Sequence, residues 1–242
     1  MHRAFSMVRQ AGALLVALAT TGAAHAAAPV VSATPPDLNL RVSYTSRVIG
    51  HDGVQRDNAY ADLMYRRTGR VWIERDLPQA LRVAEAHGHH DDAPGPHAGH
   101  AHQAAQGAPL YVRRDGSGKV MVQIALREQK RVIDVDLAHY GNVGYGGSWE
   151  SAYWLVDPAA LSRMETVGAP RNGVQRYRLK QGARTTLVDW DIAGQYAKRI
   201  EQSDDHGLSH QLMTVRTLPA PRQLPWTALD SYSTGDYSDL LD

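Results

Sequence analysis

The densest grouping of chemistry-bearing side chains is His87-Gly88-His89-His90-Asp91-Asp92, continued by His97, His100 and His102. Neutral imidazole is a preferred ligand of Zn(II), Cu(II) and Ni(II), and Asp91 and Asp92 add hard oxygen donors. His87, His89 and His90 form a first cluster, and His97, His100 and His102 a second. The pattern predicts a bound transition-metal ion (copper, zinc or nickel), with a glycine-rich backbone that folds around whichever ion arrives. Against this stands the fact that specificity needs a fixed ligand geometry, which a low-complexity tract does not supply by itself.

Two smaller groupings compete. Asp134 and Asp136, with His139 just beyond, could bind a metal or share a proton, although carboxylates beside a turn are commoner than functional ones. Asp204, Asp205, His206 and His210 decorate a hairpin whose Asp and Gly residues the turn itself requires, so they form a secondary metal candidate. Gly141, Gly144, Gly146 and Gly147 lack the helix spacing that receives a pyrophosphate and read as a surface loop. No Gly-x-Ser-x-Gly elbow, no phosphate loop ending in Gly-Lys-Ser/Thr and no His-Glu-x-x-His is present. No enzymatic reaction is indicated.

The elements that must position these residues are mostly strands. Residues 1–26 have the layout of a secretory signal peptide: Arg3 and Arg9, an apolar run from Ala11 to Ala19, and a small-residue end at Ala24-His25-Ala26. Cleavage after Ala26 predicts a periplasmic protein, and the apolar run is shorter than the roughly 20 residues of a membrane span. Residues 27–37 read as a flexible leader, and 38–242 as a single β-rich domain. Leu38, Leu40, Val42 and Tyr44 alternate on one strand face. Tyr60 to Arg67 follows, and Arg70 to Leu77 turns Val71 and Ile73 inward while Trp72 and Glu74 face out. The His-rich insert, residues 78–108, interrupts the meander. Val120 to Leu126, Arg131 to Leu137, Val174 to Lys180, Thr185 to Asp191, Tyr196 to Gln202 and Leu208 to Thr217 continue it. Asp157-Pro158 starts a helix expected to stop before Gly168. The fold class is thus mainly β: a curved antiparallel sheet or incomplete β-barrel with one or two short helices and a long His-rich loop.

Composition narrows the partners. With 26 basic and 25 acidic residues, the chain offers no electrostatic case for nucleic acid. The absence of cysteine excludes disulfides, thiolate metal sites and acylation at a cysteine. Eleven Tyr and five Trp against one Phe favour half-buried faces where a polar ring atom finds a partner.

The meander Tyr60-Ala61-Asp62-Leu63-Met64-Tyr65-Arg66-Arg67 with Arg70-Val71-Trp72-Ile73-Glu74-Arg75, and the late pair around Asp189-Trp190-Asp191 and Lys198-Arg199-Ile200-Glu201, resemble the LolA/LolB-like periplasmic lipoprotein carriers. The likeness spans residues 38–217 by pattern. It implies an incomplete antiparallel barrel closed by helices around an apolar cavity for acyl chains, and it assigns no functional residue. Three functions follow as expectations: a metal-binding accessory protein, a carrier of lipid or another apolar ligand, and a partner of a periplasmic redox metalloenzyme that docks through exposed Trp72, Trp149 or Trp154.

Overall fold

The computed structural model describes residues 31, 34–77 and 107–241. The predicted signal peptide, most of the predicted leader and all eight predicted metal ligands (His87, His89, His90, Asp91, Asp92, His97, His100 and His102) lie outside the described residues.

The alternating segments become strands close to where the pattern places them. β1 (Leu38–Ile49), β2 (Gln55–Arg67) and β3 (Arg70–Arg75) open a meander. β4 (Leu110–Arg114), β5 (Val120–Leu126) and β6 (Arg131–Val135) extend it. After a helical crossover come β7 (Glu165–Thr166), β8 (Val174–Gln181), β9 (Arg184–Asp191), β10 (Tyr196–Asp204) and β11 (Ser209–Thr217). β12 (Ser233–Asp236) ends the series. They form one 12-stranded sheet in the order β12-β6-β5-β4-β3-β2-β1-β11-β10-β9-β8-β7. The sheet is antiparallel throughout the described strands except at one edge, where β12 runs parallel to β6. A parallel neighbour needs a long return connection, here the whole chain from β6 onward.

The crossover holds a 3-10 turn (Leu137–Val143) and two short helices, α1 (Trp149–Trp154) and α2 (Pro158–Leu161). Asp157 caps α2 as expected, accepting from the Ala159 N–H at 2.9 Å, but the helix lasts one turn because Glu165 and Thr166 leave to pair with β8. The glycine-rich stretch Tyr140 to Trp149 reads from sequence as a loop, but a helix, Trp149–Trp154, begins at its end. Ser148 caps it, accepting from the Ser151 N–H at 3.0 Å.

α1 packs against both β3 and β10, which are separated in the sheet by β2, β1 and β11. Flat strands at about 4.8 Å spacing would hold β3 and β10 about 19 Å apart, beyond the reach of one short helix about 10 Å wide. The sheet therefore curls around α1 and is open, as an incomplete barrel. The inner face carries the main core: Leu40, Val42, Met64, Val71, Val112, Ile124 and Ile133 pack with Trp149, Tyr153, Trp154 and Leu161 from the crossover. The outer face has a smaller cluster, in which Trp226 covers Trp72, Tyr111 and Ala125. Trp72 does face outward, but it is 0% exposed, and Trp149 and Trp154 are also buried. This corrects the expectation of exposed tryptophans for redox docking.

One charged residue ties the inner layer together. Arg66 is fully buried and donates to the carbonyls of Pro36 (3.1 Å), Tyr153 (3.3 Å), Gly194 (2.6 Å) and Gln195 (2.7 Å). Its guanidinium lies 5.1 Å from the Tyr153 ring centre. Burial pulls its pKa down to about 10, so it remains a cation at neutral pH, solvated by carbonyl dipoles in place of water.

Candidate functional site

Register between strands decides what the open part of the inner face presents. Tyr60 opposes Tyr44 across β2 and β1, Tyr44 opposes Met213 on β11, and Met213 opposes Ile200 on β10. Together these residues make an apolar row across four strands. One step toward the hairpin tips, Asn58, Ser46, Gln211 and Gln202 are paired in the same way and form a polar row. α1 roofs the two rows with Ser151 and Ala152, and Leu155 follows at its C-terminal end. The open cleft beneath them has a volume of about 510 Å³, with Ile73 of β3 in its wall. Ligand sites run from roughly 300 to 1,000 Å³, so the cleft is large enough for a small-molecule ligand.

The floor is partly pre-organised. Tyr44 and Tyr60 stack with ring centres 4.7 Å apart, and the Arg75 guanidinium lies 4.0 Å from the centre of the Tyr60 ring. Arg75 is held by Asp62 at 2.9 Å. Burial raises the Asp62 carboxyl above the usual range, against the pull of Arg75 and with a further push from Asp76. Burial, reinforced by Asp62, likewise pushes the Tyr44 hydroxyl well up, so Tyr44 stays a neutral hydrogen-bonding group beside the apolar row. Leu155 adopts a left-handed backbone at φ 66°, a conformation that costs a non-glycine residue of order 1 kcal/mol. It brings a leucine side chain to the cleft at the point where a helix stop commonly uses glycine.

The remaining sequence candidates have structural partners. Asp136 caps the 3-10 turn through the Ala138 N–H (2.9 Å) and meets His139 Nδ1 at 2.9 Å, while His139 stacks on Tyr237. Asp134 accepts from Gln123 Nε2 at 2.7 Å. Asp204 accepts from the N–H groups of His206 (2.9 Å), Leu208 (3.1 Å) and Ser209, as the turn requires. His210 Nε2 lies 2.9 Å from Glu201. Among the described residues, no three His, Asp or Glu side chains are grouped to share a metal ion. The alternation put Tyr44 on one face with Leu38, Leu40 and Val42, and the family resemblance implied an apolar cavity, but neither named the residues that line this cleft, because the rows depend on pairing between β1 and β11, which are far apart in the chain.

No protein-family model matches this chain, and no curated protein matches it. Several solved structures are similar to it. PNGF-II shares 12% identity over 84% of this chain with a TM-score of 0.34, and the chain spans 33% of the length of that protein. A DUF1329 family protein from Desulfovibrio piger is 9% identical, with 86% of this chain and 92% of that one covered and a TM-score of 0.32. A LolA superfamily protein from Nitrosomonas europaea is 10% identical, with 80% and 90% covered and a TM-score of 0.31. The half-barrel assignment rests on the order and curvature of the sheet itself.

Proposed function

We propose that this chain is an exported carrier of an amphiphilic, acyl-bearing ligand, held in the cleft between α1 and the inner face of β1, β2, β10 and β11. The observation that supports the reading is the pairing of the apolar row Tyr60, Tyr44, Met213 and Ile200 with the polar row Asn58, Ser46, Gln211 and Gln202 under one roof. An apolar body would lie over the first row and gain about 25 cal/mol for each Å² removed from water. A polar end would find amide and hydroxyl partners in the second.

Titration with a fluorescent fatty acid tests this. Saturable uptake at one molecule per chain is expected, reduced at least tenfold by Ala152→Trp, which fills the cleft from the roof. Linear uptake, or uptake that Ala152→Trp leaves intact, overturns the proposal. Export to the periplasm predicts a mature N-terminus at Ala27, which N-terminal sequencing of the secreted protein checks.

The six histidines between His87 and His102 motivate a second, separable reading, chelation of a copper, zinc or nickel ion. Deleting residues 87–102 is expected to remove metal binding and leave fatty-acid uptake unchanged. Metal affinity in the intact chain should fall as pH drops through about 6.5, where imidazoles protonate. Metal binding that survives the deletion places the site elsewhere.

A further inference from the structure

The outer face holds a second cavity, of about 400 Å³, between the sheet and the C-terminal segment. Two guanidiniums line it. Arg70 on β3 and Arg113 on β4 are direct cross-strand partners, so both project from the outer face at the same level. Like charges placed opposite each other destabilise a sheet unless something neutralises them. Most arginines of the sheet have a carboxylate nearby: Arg41 with Asp76, Arg75 with Asp62, Arg176 with Asp189, and Arg178 with Glu165. Arg70 and Arg113 are in no such pair among the described residues.

The surroundings of the two arginines favour an anion. Arg113 donates from Nη2 to Gln123 Oε1 at 3.1 Å, and Gln123 is oriented by its own bond to Asp134. The Arg113 Nε–H is buried without an acceptor, and a buried donor left unpaired is costly. Arg113 also lies 5.3 Å from the centre of the Tyr111 ring, which stacks on Trp226 at 5.8 Å. Burial raises the Tyr111 hydroxyl, Arg70 and Arg113 draw it down, and Asp230 pushes it up. Thr227 and Thr234 add hydroxyls to the wall, and among the described residues exposed Asp230 is the one carboxylate that lines the cavity. Two cations against one anion leave the cavity net positive.

We infer that this outer-face cavity is a binding site for a small solute carrying an oxyanion, a phosphate ester or a carboxylate, gripped between Arg70 and Arg113. Guanidinium forks match the planar oxygens of both groups, and the volume leaves room for several atoms beyond the anion. The site lies on the face of the sheet opposite the cleft and does not depend on the carrier reading.

Calorimetric titration of the full mature chain with inorganic phosphate, glycerol 3-phosphate and succinate tests the inference. Saturable binding of at least one probe at a single site is expected, weakened by about tenfold or more in Arg70→Gln and in Arg113→Gln. Asp230→Asn should bind more tightly, because it removes the competing carboxylate. Glycerol 3-phosphate binding more tightly than succinate identifies a phosphate ester, and the reverse order a carboxylate. Circular dichroism and urea unfolding that match the parent chain show that the two arginine variants are folded. The inference is overturned if neither the unaltered chain nor Asp230→Asn binds any probe saturably, or if binding persists in both arginine variants.

Discussion

The inner face of this sheet is used in two ways, and the boundary runs across the strands. Around β3 to β6 and the starts of β1 and the ends of β2, apolar residues such as Leu40, Met64, Val71, Val112 and Ile124 are sealed by the crossover helices. Toward the hairpin tips of β1, β2, β10 and β11, the same alternation presents Tyr60, Asn58, Ser46, Gln202 and Gln211, which line an open cleft. Backbone pairing is continuous through both halves. What differs is the residue type at each inward position and the shortness of α1, whose six residues cover only part of the trough. A half-barrel can therefore build a core and a binding surface from one sheet by ending its lid early.

The clasp that holds the lid should be the most sensitive point. Arg66→Met would leave four carbonyls, one buried and three part-buried, without their donor, and a loss of about 2–4 kcal/mol in urea unfolding is expected. A loss below about 1 kcal/mol would mean that α1 is held by packing alone.

Substitutions in the two halves should then differ sharply. Leu40→Ala empties a fully buried position and should cost about 2–5 kcal/mol. Tyr60→Ala removes a side chain in a residue that is 38% exposed, and should cost about 1 kcal/mol or less while lowering probe affinity severalfold. Equal destabilisation by the two would erase the distinction between core and cleft.

Asp62, below the apolar row, sharpens the contrast through pH. Its folded-state pKa is raised, chiefly by burial, so the folded protein binds this proton more readily than the unfolded chain does. That contribution to stability is complete below pH 3.8 and is lost as pH rises through the raised value. Asp62→Asn should accordingly gain stability at neutral pH relative to acid. The gain should be under about 1 kcal/mol, because the group is partly solvated and its ion pair with Arg75 is given up. Measuring unfolding of both proteins at pH 3 and pH 7 checks the sign.

Much of the sheet was legible because alternation is local. β5 has the bounds that the pattern predicts, Val120–Leu126, and Val71 and Ile73 face inward. The features that were not legible depend on distant contacts. Trp72 reads as an outward residue and is one, yet Trp226, far along the chain, buries it. Arg66 reads as a polar position at a strand end, and only the convergence of four carbonyls makes its burial tolerable. Trp-Glu-Ser-Ala-Tyr-Trp, which follows a glycine-rich stretch, has modest helix propensity. Its helical state comes from burial of Trp149, Tyr153 and Trp154 against the sheet, as expected for a helix too short to be stable alone.

The smallest effect on stability should come from the residue that closes the lid. Leu155 holds φ 66°, and glycine there would relieve roughly 1 kcal/mol of backbone strain. Leu155→Gly also removes a half-buried side chain that packs against the core, an apolar loss of about the same size. The two terms oppose each other, so net stability should stay within about 0.5 kcal/mol of the parent in urea unfolding. Affinity for the fatty-acid probe has no such compensation. It should fall severalfold, because the lost isobutyl group is part of the cleft wall. A variant that is clearly more stable and binds the probe as tightly as the parent would show that this leucine serves neither the core nor the cleft.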